Sequence, residues 1–128
     1  MPAHSSFDYA VLRVVPRVER EEFLNAGVIL FCRTQRFLGA LIHLDKQRVQ
    51  ALAPQLDLDF VSQHLNRIPL ICAGDRQTGS IGLLSQSERF HWLVSPRSTI
   101  IQTSPVHSGL CSDPAATLER LFKHLVLL

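Results

Sequence analysis

A polar segment between Pro96 and Pro105 holds the side chains of this sequence best suited to recognise a charged ligand. Arginine is a planar, forked hydrogen-bond donor, and hydroxyl and amide groups add further bonds to an anion. The segment therefore predicts a partly exposed surface that binds a phosphate or a carboxylate. An alternative is a turn whose hydroxyls satisfy neighbouring backbone groups. The candidate binding residues here are Arg97, Ser98, Gln102, Ser104 and, just beyond Pro105, His107.

Two further candidates lie near the N-terminus. Arg13 stands in the middle of an apolar, β-branched stretch, where an unpaired charge is costly to bury. It either pairs with Glu19, Glu21 or Glu22, reaches water at the rim, or binds an anion on an exposed sheet face. Asn25 is the first residue of the triplet Asn25-Ala26-Gly27, which is a candidate binding segment. Alternatively, the triplet binds nothing and its glycine permits a bulge or a close backbone approach.

No motif in the sequence has an established catalytic mechanism. Ser104 and His107 are three residues apart, but no acidic residue is placed to orient the histidine. The six histidines and three cysteines show none of the usual metal-ligand spacings, and no glycine-rich phosphate loop is present. The sequence therefore predicts no metal site, no cofactor and no catalytic residue.

Composition narrows the possible partners. The chain has 128 residues, which favours one domain over residues 1–128. Its net charge of +2 gives no indication of a nucleic-acid or membrane partner. Only two of its 13 basic residues are lysines, a bias that codon usage also explains. Three widely spaced cysteines in apolar surroundings indicate buried thiols of a cytoplasmic protein. Neither a signal peptide nor a membrane-spanning run is expected.

The elements that position these residues follow from periodicity and caps. Strands are predicted over 7–15, 28–32, 37–44 and 99–103, with a polar hairpin turn between the second and third. Residues 73–82 are predicted as a loop. Four helices are predicted, and they begin after Asp45, after Asp57, after the Ser85–Glu88 capping box and after Asp113-Pro114. Pro69 is expected to kink or end the second of these helices.

The predicted fold class is α+β, with two layers and a mainly antiparallel sheet of about four strands packed by helices, including a C-terminal helix. Both faces of the first two strands are apolar, so each must be covered by helices or by another subunit. This pattern favours a homodimer or another stable protein partner. One contiguous core is expected from Leu12, Val14, Val28, Leu30, Ile42, Leu118, Leu121 and Phe122.

The sequence also resembles a known family over nearly its whole length. The matching stretches are Tyr9–Pro16, Arg20–Cys32, Glu88–Phe90, Trp92-Leu93, Arg97–Thr99, Gln102, Ser104–His107 and Asp113-Pro114. With these stretches the chain is similar to the bacterial domain-of-unknown-function 3037 family. The resemblance implies a small single-domain protein, often encoded beside a HipA-like kinase protein, and it implies no established activity.

Two functions are compatible with these observations. The first is a cytoplasmic interaction or accessory module, with a HipA-like kinase protein as its possible partner. The alternative is a small ligand-binding domain or enzyme that acts on a phosphate- or carboxylate-bearing substrate through Arg13 and Arg97. The positions of Arg13 and Arg97 in the fold distinguish the two functions, because the alternative requires both arginines to converge on one pocket.

Overall fold

A five-stranded antiparallel sheet forms the centre of the computed structural model, which describes residues 4–97 and 99–127. The spatial order is β3-β2-β1-β4, and β5 pairs with the first half of the same β1 edge that β4 uses further along. The strand bounds are Ser5–Val14 (β1), Leu24–Cys32 (β2), Phe37–Ile42 (β3), Ile101–Thr103 (β4) and His107–Cys111 (β5).

Four α-helices begin where the sequence predicts them. Each starts after an Asp or Ser whose side chain accepts a hydrogen bond from a backbone N–H of the first turn, and Ser85 with Glu88 completes a reciprocal capping box. Their bounds are Lys46–Leu52 (α1), Leu58–Ala73 (α2), Gln86–Leu93 (α3) and Pro114–Leu125 (α4). Short 3₁₀ helices cover Val18–Arg20 and Arg76–Leu83.

Two local predictions differ from the structure, and one strand was not predicted. Pro69 does not end α2, which continues to Ala73 and stops at Gly74 in the left-handed conformation, φ 71°. The predicted loop over 73–82 contains much of the second 3₁₀ helix, because Asp75 caps it. β5 was not predicted. In this strand Gly109 leaves room for the ring of Phe7, since a Cβ at Gly109 would lie 2.8 Å from that ring.

The α+β class, the antiparallel sheet and the C-terminal helix are confirmed, but the helices occupy both faces of the sheet. α2 and α3 pack on one face, where the Phe31 and Phe90 ring centroids are 5.2 Å apart. α4 packs on the other face, against Val28, Leu30 and Cys32 of β2. The molecule therefore has three layers instead of the expected two. Because helices cover both faces, the apolar strands no longer give a reason to expect a homodimer.

The predicted single core is wrong for the same reason. Leu12, Val14 and Ile42 belong to the cluster under α2 and α3, and Val28, Leu30, Leu118, Leu121 and Phe122 belong to the cluster under α4. Alternate residues of a strand point to opposite faces, so apolar residues of one strand serve two separate cores.

Leu118→Ala is expected to lower the free energy of unfolding by about 2–3 kcal/mol, since Leu118 is buried where α4 meets the sheet. Leu121 packs at the edge of the same cluster and is only half-buried, so Leu121→Ala should cost about 1 kcal/mol. Urea unfolding followed by circular dichroism measures both. Equal losses for the two variants would show that α4 is seated differently.

Candidate functional site

Three of the candidate residues form a row across the sheet. Arg13 of β1 is in register with Asn25 of β2 and with Gln102 of β4. Register partners in antiparallel strands project from the same face, and Leu12 and Val14 point to the opposite one. The row therefore lies on the face that carries α4.

Arg13 is held by an aromatic ring and not by a carboxylate. Its guanidinium carbon lies 4.1 Å from the centroid of the Phe23 ring, and its buried Nε has no hydrogen-bond partner. Within residues 4–97 and 99–127 the one ion pair joins Arg20 to Glu22, so the expected pairing of Arg13 with a nearby glutamate is not formed. A cation–π contact stabilises the guanidinium at this partly buried position.

The amide groups of Asn25 and Gln102 both donate hydrogen bonds to backbone carbonyl oxygens of the same chain. Asn25 Nδ2 donates to the Leu125 carbonyl oxygen at 3.0 Å, which ties the end of α4 to the sheet. Gln102 Nε2 donates to the Thr99 carbonyl oxygen at 2.9 Å. Both interactions are structural: they fix a helix end and a turn.

Ser104 bridges the break between β4 and β5. It is buried, its Oγ accepts a hydrogen bond from the Val11 backbone N–H at 2.9 Å, and the same hydroxyl donates to the Pro105 carbonyl oxygen at 2.9 Å. His107 is exposed, and its ring stacks 5.3 Å from that of Tyr9. The hydroxyl of Ser104 is therefore occupied within the sheet. Ser98, the remaining candidate of this segment, lies outside the described residues.

Arg97 lies on the opposite side of the sheet from Arg13, in a groove between α2, α3 and β4 that we call the α2–α3 groove. Its volume is about 520 Å³. The floor is aliphatic, and two aromatic side chains, Phe60 and Trp92, remain 47% and 44% exposed. The lining residues are Phe60, His64, Arg67, Ile68 and Ile71 of α2, Trp92 and Leu93 of α3, and Arg97, Thr99, Ile100 and Ile101 from the following segment.

The rim of this groove carries donors and positive charge. The Arg97 guanidinium lies 4.3 Å from the centroid of the Trp92 ring and donates one N–H to the Trp92 carbonyl oxygen at 2.6 Å. Arg67 donates to the Thr78 carbonyl oxygen at 3.3 Å, and the His64 ring stacks on that of Phe60 with centroids 4.2 Å apart. No carboxylate is among the lining residues, all of which belong to the described part of the chain.

Arg97 was predicted from the sequence, but the aromatic walls of the groove were not. Trp92 was not among the candidate binding residues, and Phe60 lies outside the apolar stripe of Val61, Leu65 and Ile68 that faces the sheet. The available signal was the pair Phe60 and His64, aromatic side chains at i and i+4 on α2 that lie beside the buried stripe. An aromatic pair outside the packing stripe of a helix indicates a further contact.

The geometry supports binding more directly than catalysis. Arg13 and Arg97 do not share a pocket, since they lie on opposite faces. Over residues 4–97 and 99–127, no three His, Cys, Asp or Glu side chains converge as metal ligands. Burial raises the pKa of the Cys72 thiol to about 12 despite the nearby Arg89 charge, so this thiol stays protonated at neutral pH.

Known proteins identify the family of this chain but give no information about a ligand. None of the described helices has both the length and the apolar character needed to cross a membrane. No curated protein and no solved structure matches the chain. One family model does match, over residues 9–126, as the motifs from Tyr9 to Asp113-Pro114 predict. The chain therefore belongs to the family described as protein of unknown function, DUF3037.

Proposed function

We propose that this chain is a small cytoplasmic interaction module that binds a protein partner in the α2–α3 groove. The observation that carries the proposal is the pair Phe60 and Trp92, each nearly half exposed beside an aliphatic floor. Contiguous exposed apolar surface on a small domain marks interaction sites. The three buried cysteines, none of them in a disulfide, fit a reducing compartment.

The residue types of the groove match those that dominate binding energy at protein interfaces. Tryptophan, other aromatic residues and arginine are enriched among such anchor residues, and here Trp92 and Arg97 are stacked on each other. Burying the exposed part of one aromatic ring contributes roughly 1–2 kcal/mol of apolar transfer free energy. Two rings together contribute about 2–4 kcal/mol, so Arg97 and further contacts of the partner must supply the rest of the binding free energy.

The family resemblance supplies the first partner to test, a HipA-like kinase protein. Gene neighbourhood is an association and not a contact, so the groove has to be linked to the partner by mutation. A second copy of the chain is the other protein partner to test. Because α4 covers the remaining sheet face, the α2–α3 groove is the apolar surface that this proposal assigns to such a homodimer as well.

A second candidate function uses the same groove for an anionic small molecule. Its volume, about 520 Å³, lies within the range of small-ligand sites, and Arg97 supplies a forked donor. Arg13 has no part in this version of the alternative, because it lies on the other face of the sheet.

The test is co-expression with a HipA-like kinase protein from the same genome, followed by size-exclusion chromatography with light scattering. The double variant Phe60→Ala, Trp92→Ala should raise the dissociation constant of the complex at least about tenfold. Leu110→Ala is the matched control, since Leu110 is 70% exposed on β5 and does not line the groove. A complex that tolerates the double variant, or no complex with the kinase protein and none between copies of the chain, contradicts the proposal.

A further inference from the structure

We infer that the segment bound in the α2–α3 groove is an amphipathic helix with carboxylates beside its apolar face, anchored by Phe60 and Trp92 and paired with Arg97. This inference rests on the proposed function and specifies the chemistry of the partner. It follows from three properties of the groove: its charge, the fixed orientation of Arg97, and the helical nature of its walls.

The charge of the groove differs from that of the whole chain. Acidic and basic residues nearly balance over the sequence, with 11 of the former and 13 of the latter. The groove lining nevertheless includes Arg67 and Arg97 and no acidic residue. A cationic rim around an apolar floor repels basic segments and favours acidic ones, because like charges brought together at an interface are costly.

Arg97 is oriented before any partner binds. Its guanidinium stacks over the Trp92 ring, and one N–H already donates to the Trp92 carbonyl oxygen. The other N–H groups of the planar fork stay available for a carboxylate, which can accept two parallel hydrogen bonds. Because the side chain is held by two contacts, less conformational entropy is lost when a carboxylate binds. A lysine at this position would reproduce the charge but not the planar fork, which stacks on the ring and still presents parallel N–H donors to a carboxylate.

The walls of the groove favour a helix over an extended strand. α2 and α3 satisfy their own backbone groups, so they offer no ladder to an added strand. β4 has three residues, and its Ile101 carbonyl oxygen already accepts from the Thr99 hydroxyl at 2.7 Å. A bound helix brings its backbone hydrogen bonds with it and presents side chains at i, i+4 and i+7. From Phe60 to Ile71, α2 offers a wall about 16 Å long, or roughly three helical turns.

The fluorescence emission of Trp92 reports binding to the groove, because Trp92 is the single tryptophan of the chain and lines the groove. The probes are three synthetic peptides of about 14 residues without tryptophan or tyrosine, long enough to form a helix when bound. The first has leucines at i, i+4 and i+7 flanked by glutamates; the second replaces the glutamates with lysines; the third has a central proline. Decanoate serves as a small anionic probe.

The glutamate peptide should change Trp92 emission saturably, and the lysine and proline peptides should bind at least about tenfold more weakly. Arg97→Glu should invert the preference between the glutamate and lysine peptides. Arg97→Lys should weaken the glutamate peptide about 5- to 100-fold. Arg120→Glu is the matched control, since Arg120 is exposed on α4 on the other side of the sheet, and it should leave the preference unchanged.

Several outcomes overturn the inference, and some of them leave the proposed function intact. Equal binding of the glutamate and lysine peptides removes the acidic character, and equal binding of the proline peptide removes the helix. Saturable binding of decanoate, with no peptide bound at about 1 mM, assigns the groove to a small anion. If no peptide binds while the Phe60 and Trp92 variants still disrupt the kinase complex, the proposed function stands and the inference fails. If those variants leave the complex intact, the proposed function fails first.

Discussion

Replacing Arg89 with alanine is expected to lower the free energy of unfolding by about 3–5 kcal/mol, more than any other replacement of a charged residue in this chain. The side chain is only 8% exposed, and it lies where α2 ends and α3 begins. Its guanidinium donates to the Cys72 carbonyl oxygen at 3.2 Å and to the Leu84 carbonyl oxygen. Without Arg89 both carbonyls lose a charged donor, and the negative end of the α2 dipole loses a compensating cation.

Two further variants separate the causes of this loss. Arg89→Lys keeps the charge but cannot reach both carbonyls as a fork does, so it should cost about 1.5–3 kcal/mol. Arg33→Ala removes an exposed arginine from the turn between β2 and β3 and should change stability by no more than about 0.5 kcal/mol. Urea unfolding followed by circular dichroism measures all three. A loss below about 1 kcal/mol for Arg89→Ala would mean that water replaces the guanidinium and that this residue does not join α2 to α3.

The parts of the fold that the sequence predicted are those set by short-range chemistry. Asp57 accepts a hydrogen bond from the Phe60 N–H, Asp113 does so from the Ala116 N–H, and Ser85 with Glu88 closes a capping box. In each case donor and acceptor are three residues apart, so the pattern is visible in the printed sequence. The apolar stripe of α4 is equally local.

The parts that were missed depend on contacts between distant residues. β5 is a short, polar strand with a glycine, and it forms because the first half of β1 offers a free edge and Gly109 accommodates the Phe7 ring. The side of the sheet on which α4 packs is likewise decided by tertiary structure. Val28 and Ile29 point to opposite faces of β2, and both faces are apolar. The sequence of β2 therefore cannot predict which helix covers which face.

The candidate site shows the same division. Arg97 was identified from its polar surroundings, but its stacking partner Trp92 was not, because apolar residues within one helix do not reveal which face is exposed. Asn25 and Ser104 were selected as polar groups in unusual places, and both use their hydrogen bonds to hold the sheet together. A buried polar residue must find a partner, and within a folded chain that partner is most often the backbone.

Gly27, which the sequence suggested as a point of close backbone approach or a bulge, should tolerate a side chain worst among the strand positions. A Cβ at Gly27 would lie 2.7 Å from the Leu41 carbonyl oxygen and 2.9 Å from a methyl group of Leu12. Gly27 pairs with Leu12 on one side and Ile42 on the other, directly beside the register shift between Leu12 and Arg13. The carbonyl belongs to the β2–β3 ladder, so it cannot move without breaking hydrogen bonds.

Gly27→Val is therefore expected to cost about 3–5 kcal/mol, at the upper end for overpacking, and to lower the melting temperature by more than about 10 °C. Gly39→Val on β3 is the matched control. A Cβ there would meet the Phe37 ring at 2.9 Å and a Leu118 methyl group at 3.2 Å, and these are side chains that can rotate away. We expect a loss of about 1–2 kcal/mol for that variant, partly offset by the higher strand propensity of valine. Calorimetric melting curves of the two variants give the comparison. If Gly27→Val melts no lower than Gly39→Val, β2 and β3 can separate enough to admit a side chain. The bulge, and not the close backbone approach, would then explain the glycine at position 27.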